Sequence, residues 1–143
     1  MGAAIVDLPT LVAAMSPTLD ARTVAFVSVG DELAAIAALP AGTLIATFRE
    51  GEGTTLIVEA KAAERASLPI LFRAAWITLA VHSDLQAVGL TAVVAGALAA
   101  AGVSCNVVAA AFHDHLFVPL DKAQLALEVL RRLQRDTAQA CGA

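Results

Sequence analysis

Apolar positions along the chain change period several times, and each change marks an element. Leu8, Leu11, Val12 and Met15 fall at helical spacing, with Asp7 placed to cap and Pro17 to stop the helix. Residues 23–29 (TVAFVSV) then read as a β-rich strand, and Gly30-Asp31 turns the chain into a short helix over 32–39 that Pro40 ends. Strands over 43–49 (TLIATFR) and 54–59 (TTLIVE) flank Glu50-Gly51-Glu52-Gly53, which predicts a hairpin. A short helix over 61–66 and a stub at 70–72 follow. The second half repeats the plan. A strand over 75–81 leads through His82-Ser83-Asp84 into a long helix over 85–101, with Gly102 as a left-handed C-cap. A strand over 103–110 pairs with 116–119 across a reversal at His113-Asp114-His115. Asp121 caps a last helix over 122–135, striped by Leu125, Val129 and Leu133, with Arg131, Arg132 and Arg135 in its last turns.

Each half thus reads β-α-β-β-α. This predicts an α+β fold of two tandem ferredoxin-like (βαββαβ) units with antiparallel sheets, at residues 1–73 with a leading helix and 74–143. Residues 70–72 can close the first unit. Nothing after Arg135 closes the second, so its missing edge calls for a strand from the other half. Units of this size are marginal alone, which predicts one cooperative fold, and open sheet edges predict self-association as a homodimer. In the 85–101 helix, Gly89, Ala92, Gly96 and Ala99 share one side, which predicts close packing through small residues.

Composition narrows the function classes. The 143 residues are 59% hydrophobic and 15% charged, which excludes a disordered chain. Alanine fills about a quarter of the chain and aromatics only 4%, so the core is built from small and aliphatic side chains. Nine Lys and Arg, scattered against a net charge of −4, form no patch for nucleic acid. Residues 85–113 carry no Asp, Glu, Lys or Arg, but the run is Ala- and Gly-rich and broken by Thr91, so it reads as buried core and not as a membrane span. Residues 1–9 lack the basic start of a signal peptide, and Gly2 lacks the downstream hydroxyl of a myristoylation signal. Cys105 and Cys141 are too few for a disulfide framework and read as free thiols in the cytoplasm.

Several stretches together carry a resemblance. These are Ile77-Thr78-Leu79-Ala80-Val81, the loop His82-Ser83-Asp84-Leu85, Gly89 at the helix start, the Gly102-Val103 step, and Phe112-His113-Asp114-His115-Leu116-Phe117-Val118-Pro119. The chain resembles the ACT-domain family, in particular small bacterial proteins of two tandem ACT units similar to those of the CASTOR arginine sensors. Ala46-Thr47-Phe48-Arg49-Glu50 and Gly53 extend the match into the first half. The resemblance implies a non-catalytic regulatory protein. It would bind a small effector, most often an amino acid, at an interface between ACT units and act on a separate partner protein.

The loop over 81–89 is the best site candidate, because a helix N-terminus offers unpaired N–H groups to a carboxylate. Its His82, Ser83, Asp84, Leu85, Val88 and Gly89 are the expected ligand contacts, with Asn106 on the following strand. Equally, Ser83 or Asp84 simply caps the helix and Gly89 packs on the sheet. Arg49 and Glu50 suit a polar lid, where a guanidinium would match a carboxylate; the alternative is a solvated pair beside a turn. His82, His113 and His115 lack the spacing of a metal motif, and no metal or cofactor is expected. No phosphate loop, nucleophile elbow or C-x-x-C is present, and Cys105 lies in apolar company, so no catalysis is expected. The alternative function is a non-catalytic interaction or dimerisation module with a degenerate pocket.

Overall fold

The computed structural model describes residues 3–142. Met1, Gly2 and Ala143 lie outside the described residues, and with them the reading of Gly2. The fold is mixed α+β with six strands: α1 (Leu8–Ala14), β1 (Pro17–Val29), α2 (Glu32–Ala37), β2 (Leu44–Glu50), β3 (Gly53–Glu59), α3 (Ala60–Arg65), β4 (Ile70–Leu79), α4 (Leu90–Ala100), β5 (Asn106–Ala109), β6 (Asp114–Pro119) and α5 (Ala123–Cys141), the last preceded by a 3-10 turn at Leu120–Lys122. Among the described residues no helix is long and apolar enough to cross a membrane.

The chain forms two compact units, and these cut across its two halves. One is Ala21–Ala75; the other joins Met1–Asp20 to Trp76–Ala143. In the Ala21–Ala75 unit the strand order is β2-β3-β1-β4. β1 and β3 pair antiparallel with Phe26 opposite Ile57, and β2 and β3 form the expected hairpin, with Glu50 opposite Gly53. Gly53 sits at φ +148°, and a Cβ there would lie 2.7 Å from the Val29 carbonyl oxygen, so the hairpin needs glycine to approach β1 this closely. Asp31 caps α2 by accepting the Ala34 N–H at 3.0 Å. The core joins Val27, Leu56 and Val58 to Ala25, Ala35, Ala60, Ala62 and Ala63; alanine lets α3 lie close on the strands.

In the other unit the order is β1-β4-β6-β5. The Ala80 N–H donates to the Ser16 carbonyl and the Thr18 hydroxyl to the Thr78 carbonyl, so the first residues of β1 run antiparallel beside the end of β4. This fills the edge that the second repeat leaves open. The leading helix α1, expected with the N-terminal half, packs here instead. It buries Leu11 and Val12, and the Gln134 amide of α5 donates to the Ala13 carbonyl at 3.0 Å.

Four local expectations are corrected. The stub at 70–72 and the strand at 75–81 are one strand, β4. α4 starts at Leu90 and not at 85, because Gly89 takes φ +105° and cannot continue a helix backward. α5 runs to Cys141, so Arg131, Arg132 and Arg135 are mid-helix, and Asp121 lies in the 3-10 turn without capping it. The tail DTAQAC carries good helix formers that outlast the apolar stripe. Finally, the small-residue side of α4 faces outward. Leu90, Val94 and Leu98 take the core, since larger side chains gain more from burial, while Ala92, Gly96 and Ala99 are exposed.

Candidate functional site

Three backbone segments of the second unit brace one cavity wall. The Ile5 N–H donates to the His82 carbonyl at 3.0 Å, and the Ile5 carbonyl accepts the Asp84 N–H at 3.1 Å. The Ser83 N–H donates to the Phe112 carbonyl at 3.3 Å, and the Ala110 N–H to the His113 carbonyl at 3.0 Å. The loop therefore stands between the N-terminal segment and the β5–β6 reversal. Asp84 organises its next turn: its Oδ1 accepts the Gln86 N–H at 2.8 Å and its carbonyl the Ala87 N–H at 3.0 Å. It does not cap α4, and neither does Ser83, whose hydroxyl donates to the Asp84 carbonyl.

Behind this loop lies a cavity of about 410 Å³, within the range of small-molecule sites. Ser83, Asp84, Leu85 and Gly89 line it from the loop; Leu90, Thr91 and Ala92 from the first turn of α4; Ala109, Ala110 and Asp114 from the hairpin. Gly89 is the N-cap and brings no side-chain cap. The first intrahelical bond is from the Val93 N–H to the Gly89 carbonyl, so the N–H groups of Leu90, Thr91 and Ala92 are the helix's unpaired donors. They carry the positive end of the helix dipole into the cavity wall.

Asp114 sits on the same side of β6 as Leu116 and Val118 and is 8% exposed. No donor among the described residues hydrogen-bonds its carboxylate. Burial pushes its pKa up, opposed by the neighbouring His115 and His113. One wall of the cavity thus offers N–H donors and the other a partly desolvated carboxylate that has no hydrogen-bond donor among the described residues.

The histidines do not converge. The His113 Nδ1–H donates to the Val81 carbonyl at 3.1 Å. His82 packs its ring on Phe112, with centroids 5.4 Å apart. His115, on the other side of β6, accepts the Trp76 indole N–H at 3.0 Å, with the Thr78 hydroxyl at 3.1 Å from the same Nδ1. An indole can only donate, so Nδ1 holds a lone pair and the ring is neutral with its proton on Nε2. Burial, with the nearby His113, lowers the His115 pKa. No group of three metal-ligating side chains exists among the described residues. Desolvation raises the Cys105 thiol to about 11, so it is protonated and unreactive at neutral pH.

Of the residues anticipated from sequence, the structure brings Ser83, Asp84, Leu85 and Gly89 together around the cavity. His82 turns to Phe112 beside it, and Val88 is 83% exposed. Asn106 is exposed at the far end of the β5–β6 pairing, opposite Phe117, whereas Ala109 opposite Asp114 lines the cavity. In the Ala21–Ala75 unit, Arg49 is an exposed partner of Glu32 at 3.2 Å, and Glu50 accepts the Thr55 hydroxyl. Gly89 packs against α1 and not on the sheet: a Cβ there would meet Leu8 Cδ2 at 2.8 Å. Thr91, Ala109, Ala110 and Asp114 were not anticipated as contacts. For Asp114 the signal was available, as an acid in phase with Leu116 and Val118 on the core side of a strand.

The chain belongs to the ACT-domain family. Residues 3–75 match one ACT domain and residues 72–132 a second. Among solved structures, it is similar to the Vibrio cholerae protein VC0802, of unknown function and described as a "possible transport protein". The two are 45% identical with TM-score 0.78, over 89% of this chain and 95% of that one. It shares its fold with the ligand-free regulatory subunit of aspartate kinase from Thermus thermophilus (14% identity, TM-score 0.66, 84% of this chain and 97% of that one). The same holds for protein Atu0741 from Agrobacterium tumefaciens (14% identity, TM-score 0.63, 82% and 87%). No curated protein sequence matches the chain. Tandem ACT domains support a ligand-binding, regulatory role in general.

Proposed function

We propose that this chain is a cytoplasmic, non-catalytic sensor that binds a free amino acid in the 410 Å³ cavity and signals its occupancy to a separate protein. The observation that carries the reading is the pairing of the unpaired N–H groups of Leu90, Thr91 and Ala92 with the buried, unpartnered Asp114 carboxylate. A zwitterion satisfies both: its carboxylate takes the helix N–H groups and its ammonium the Asp114 oxygens. Each of these groups is left by folding without a protein partner, and the ligand exchanges its water for a charge-assisted bond. The thiol of Cys105 is protonated and no nucleophile–base pair lines the cavity among the described residues, which supports binding without chemistry.

Thermal unfolding across the common amino acids tests this, with acetate and methylamine as half-ligand controls. A true ligand at a hundredfold excess over its Kd adds about 2.7 kcal/mol of stability, and neither half alone matches it. No response from any amino acid would reject the reading in favour of an interaction module with a degenerate pocket.

A further inference from the structure

Beyond its first turn, the outward side of α4 has no task in the ligand reading. The helix carries no charged residue, yet Gly96, Ala99 and Ala100 are exposed, and no heavy atom lies within 4 Å of where a Gly96 Cβ would stand. Beside it runs an open groove of about 420 Å³, floored by Ala97 and Ala100 of α4, by Ala101 just after it, and by Val129 and Leu133 of α5. Arg132 and Asp136 complete its lining from α5. They stand one helical turn apart, at a spacing that permits an ion pair, yet neither takes a partner among the described residues. Leu125, 38% exposed, continues the apolar strip on the same side of α5.

We infer that this α4–α5 face is the docking surface for a second copy of the chain. The occupant follows from the charges. A strip with a cation and an anion about 6 Å apart along one helix is self-complementary under a two-fold axis passing between them. An antiparallel α5 from a second copy sets Asp136 of the partner subunit against Arg132, and the partner's Arg132 against Asp136. The small side chains of α4 let the helices close to roughly 8–10 Å, where the groove's apolar floor is covered. The charges choose the partner and the apolar strip supplies the driving force. Self-association, expected from open sheet edges, is thereby assigned to a helical face. The inference does not rest on the amino-acid reading.

Sedimentation equilibrium of the full chain, from low micromolar to millimolar concentration, tests it with Arg132→Asp, Asp136→Arg, the double reversal and Ala100→Arg. The wild type should dimerise. Each single reversal creates two like-charge contacts per dimer and should weaken association by about tenfold or more. The double reversal should restore it, and Ala100→Arg should block it without altering the α5 charges. All three positions are exposed, so melting temperatures of the dilute proteins should stay close to wild type. A wild type that stays monomeric throughout would overturn the inference. So would a dimer indifferent to these substitutions, which would then use another surface.

Discussion

Replacing Asp114 by Asn separates binding from folding, because the two effects have opposite signs. The substitution keeps the shape of the side chain and removes a buried charge without a hydrogen-bond donor. Leaving a charged group so desolvated costs about 1–3 kcal/mol in general; contact with the open cavity takes Asp114 to the low end, near 1 kcal/mol. The attraction of His115 and His113 works the other way, but burial is the larger influence and leaves the pKa raised. Asp114→Asn should therefore stabilise the empty protein by about 1 kcal/mol at neutral pH, or about 2–4 °C in Tm for a chain of this size. The pH dependence follows from linkage. Below the ordinary carboxylate pKa of 3.8, Asp114 is neutral in both the folded and the unfolded chain, and the two proteins should be equally stable. As pH rises, the unfolded chain ionises first, so the wild type loses stability until the folded pKa is passed, and the difference then levels off. Amino-acid affinity should move the opposite way, falling about 10- to 150-fold with the loss of a charge-assisted bond. Urea unfolding at several pH values, with calorimetric titration of the ligand, reads both. An Asn variant that is less stable and binds as well as wild type would make Asp114 a structural residue and refute the reasoning.

Gly89→Ala should destabilise by about 1–2 kcal/mol, measured by chemical unfolding, since φ +105° is strained for an L-residue and the added methyl group meets Leu8 Cδ2 at 2.8 Å. Gly96→Ala should instead stabilise the dilute protein by about 0.4–1 kcal/mol in the same assay, because the site is mid-helix and open. Trp76 is the single tryptophan, so its fluorescence should report His115 directly: quenching on acidification, with a midpoint below the ordinary histidine value of 6.5 and absent in His115→Phe. A folded histidine with a lowered pKa contributes stability that is present above its unfolded pKa and lost as pH falls through the folded one, so unfolding should become easier over the same window.

The elements were legible because their apolar residues repeat with clear periods and because Gly and Pro punctuate them. Asp31, Gly53 and the β2–β3 hairpin follow from local chemistry that tertiary packing does not override. The resemblance to ACT domains rested on such local runs as well. What escaped was decided by distant groups. Nothing near Gly89 in sequence says that Leu8 packs on it, or that the resulting φ restarts the helix at Leu90. The outward turn of Gly96 followed from competition between two sides of a helix that is apolar all round, where periodicity gives no preferred face. Asp114 was visible as an acid between two histidines. Its importance depended on the β5–β6 reversal meeting the 82–84 loop, which only the fold provides.

The central claim is that an amino acid occupies the cavity between the first turn of α4 and Asp114. A crystal structure of the chain with the amino acid that most raises its melting temperature tests this directly. The account predicts the ligand's carboxylate within about 3 Å of the N–H groups of Leu90, Thr91 or Ala92, and its ammonium within about 3 Å of an Asp114 oxygen. A ligand held elsewhere on the chain, with this cavity filled only by water, would contradict it.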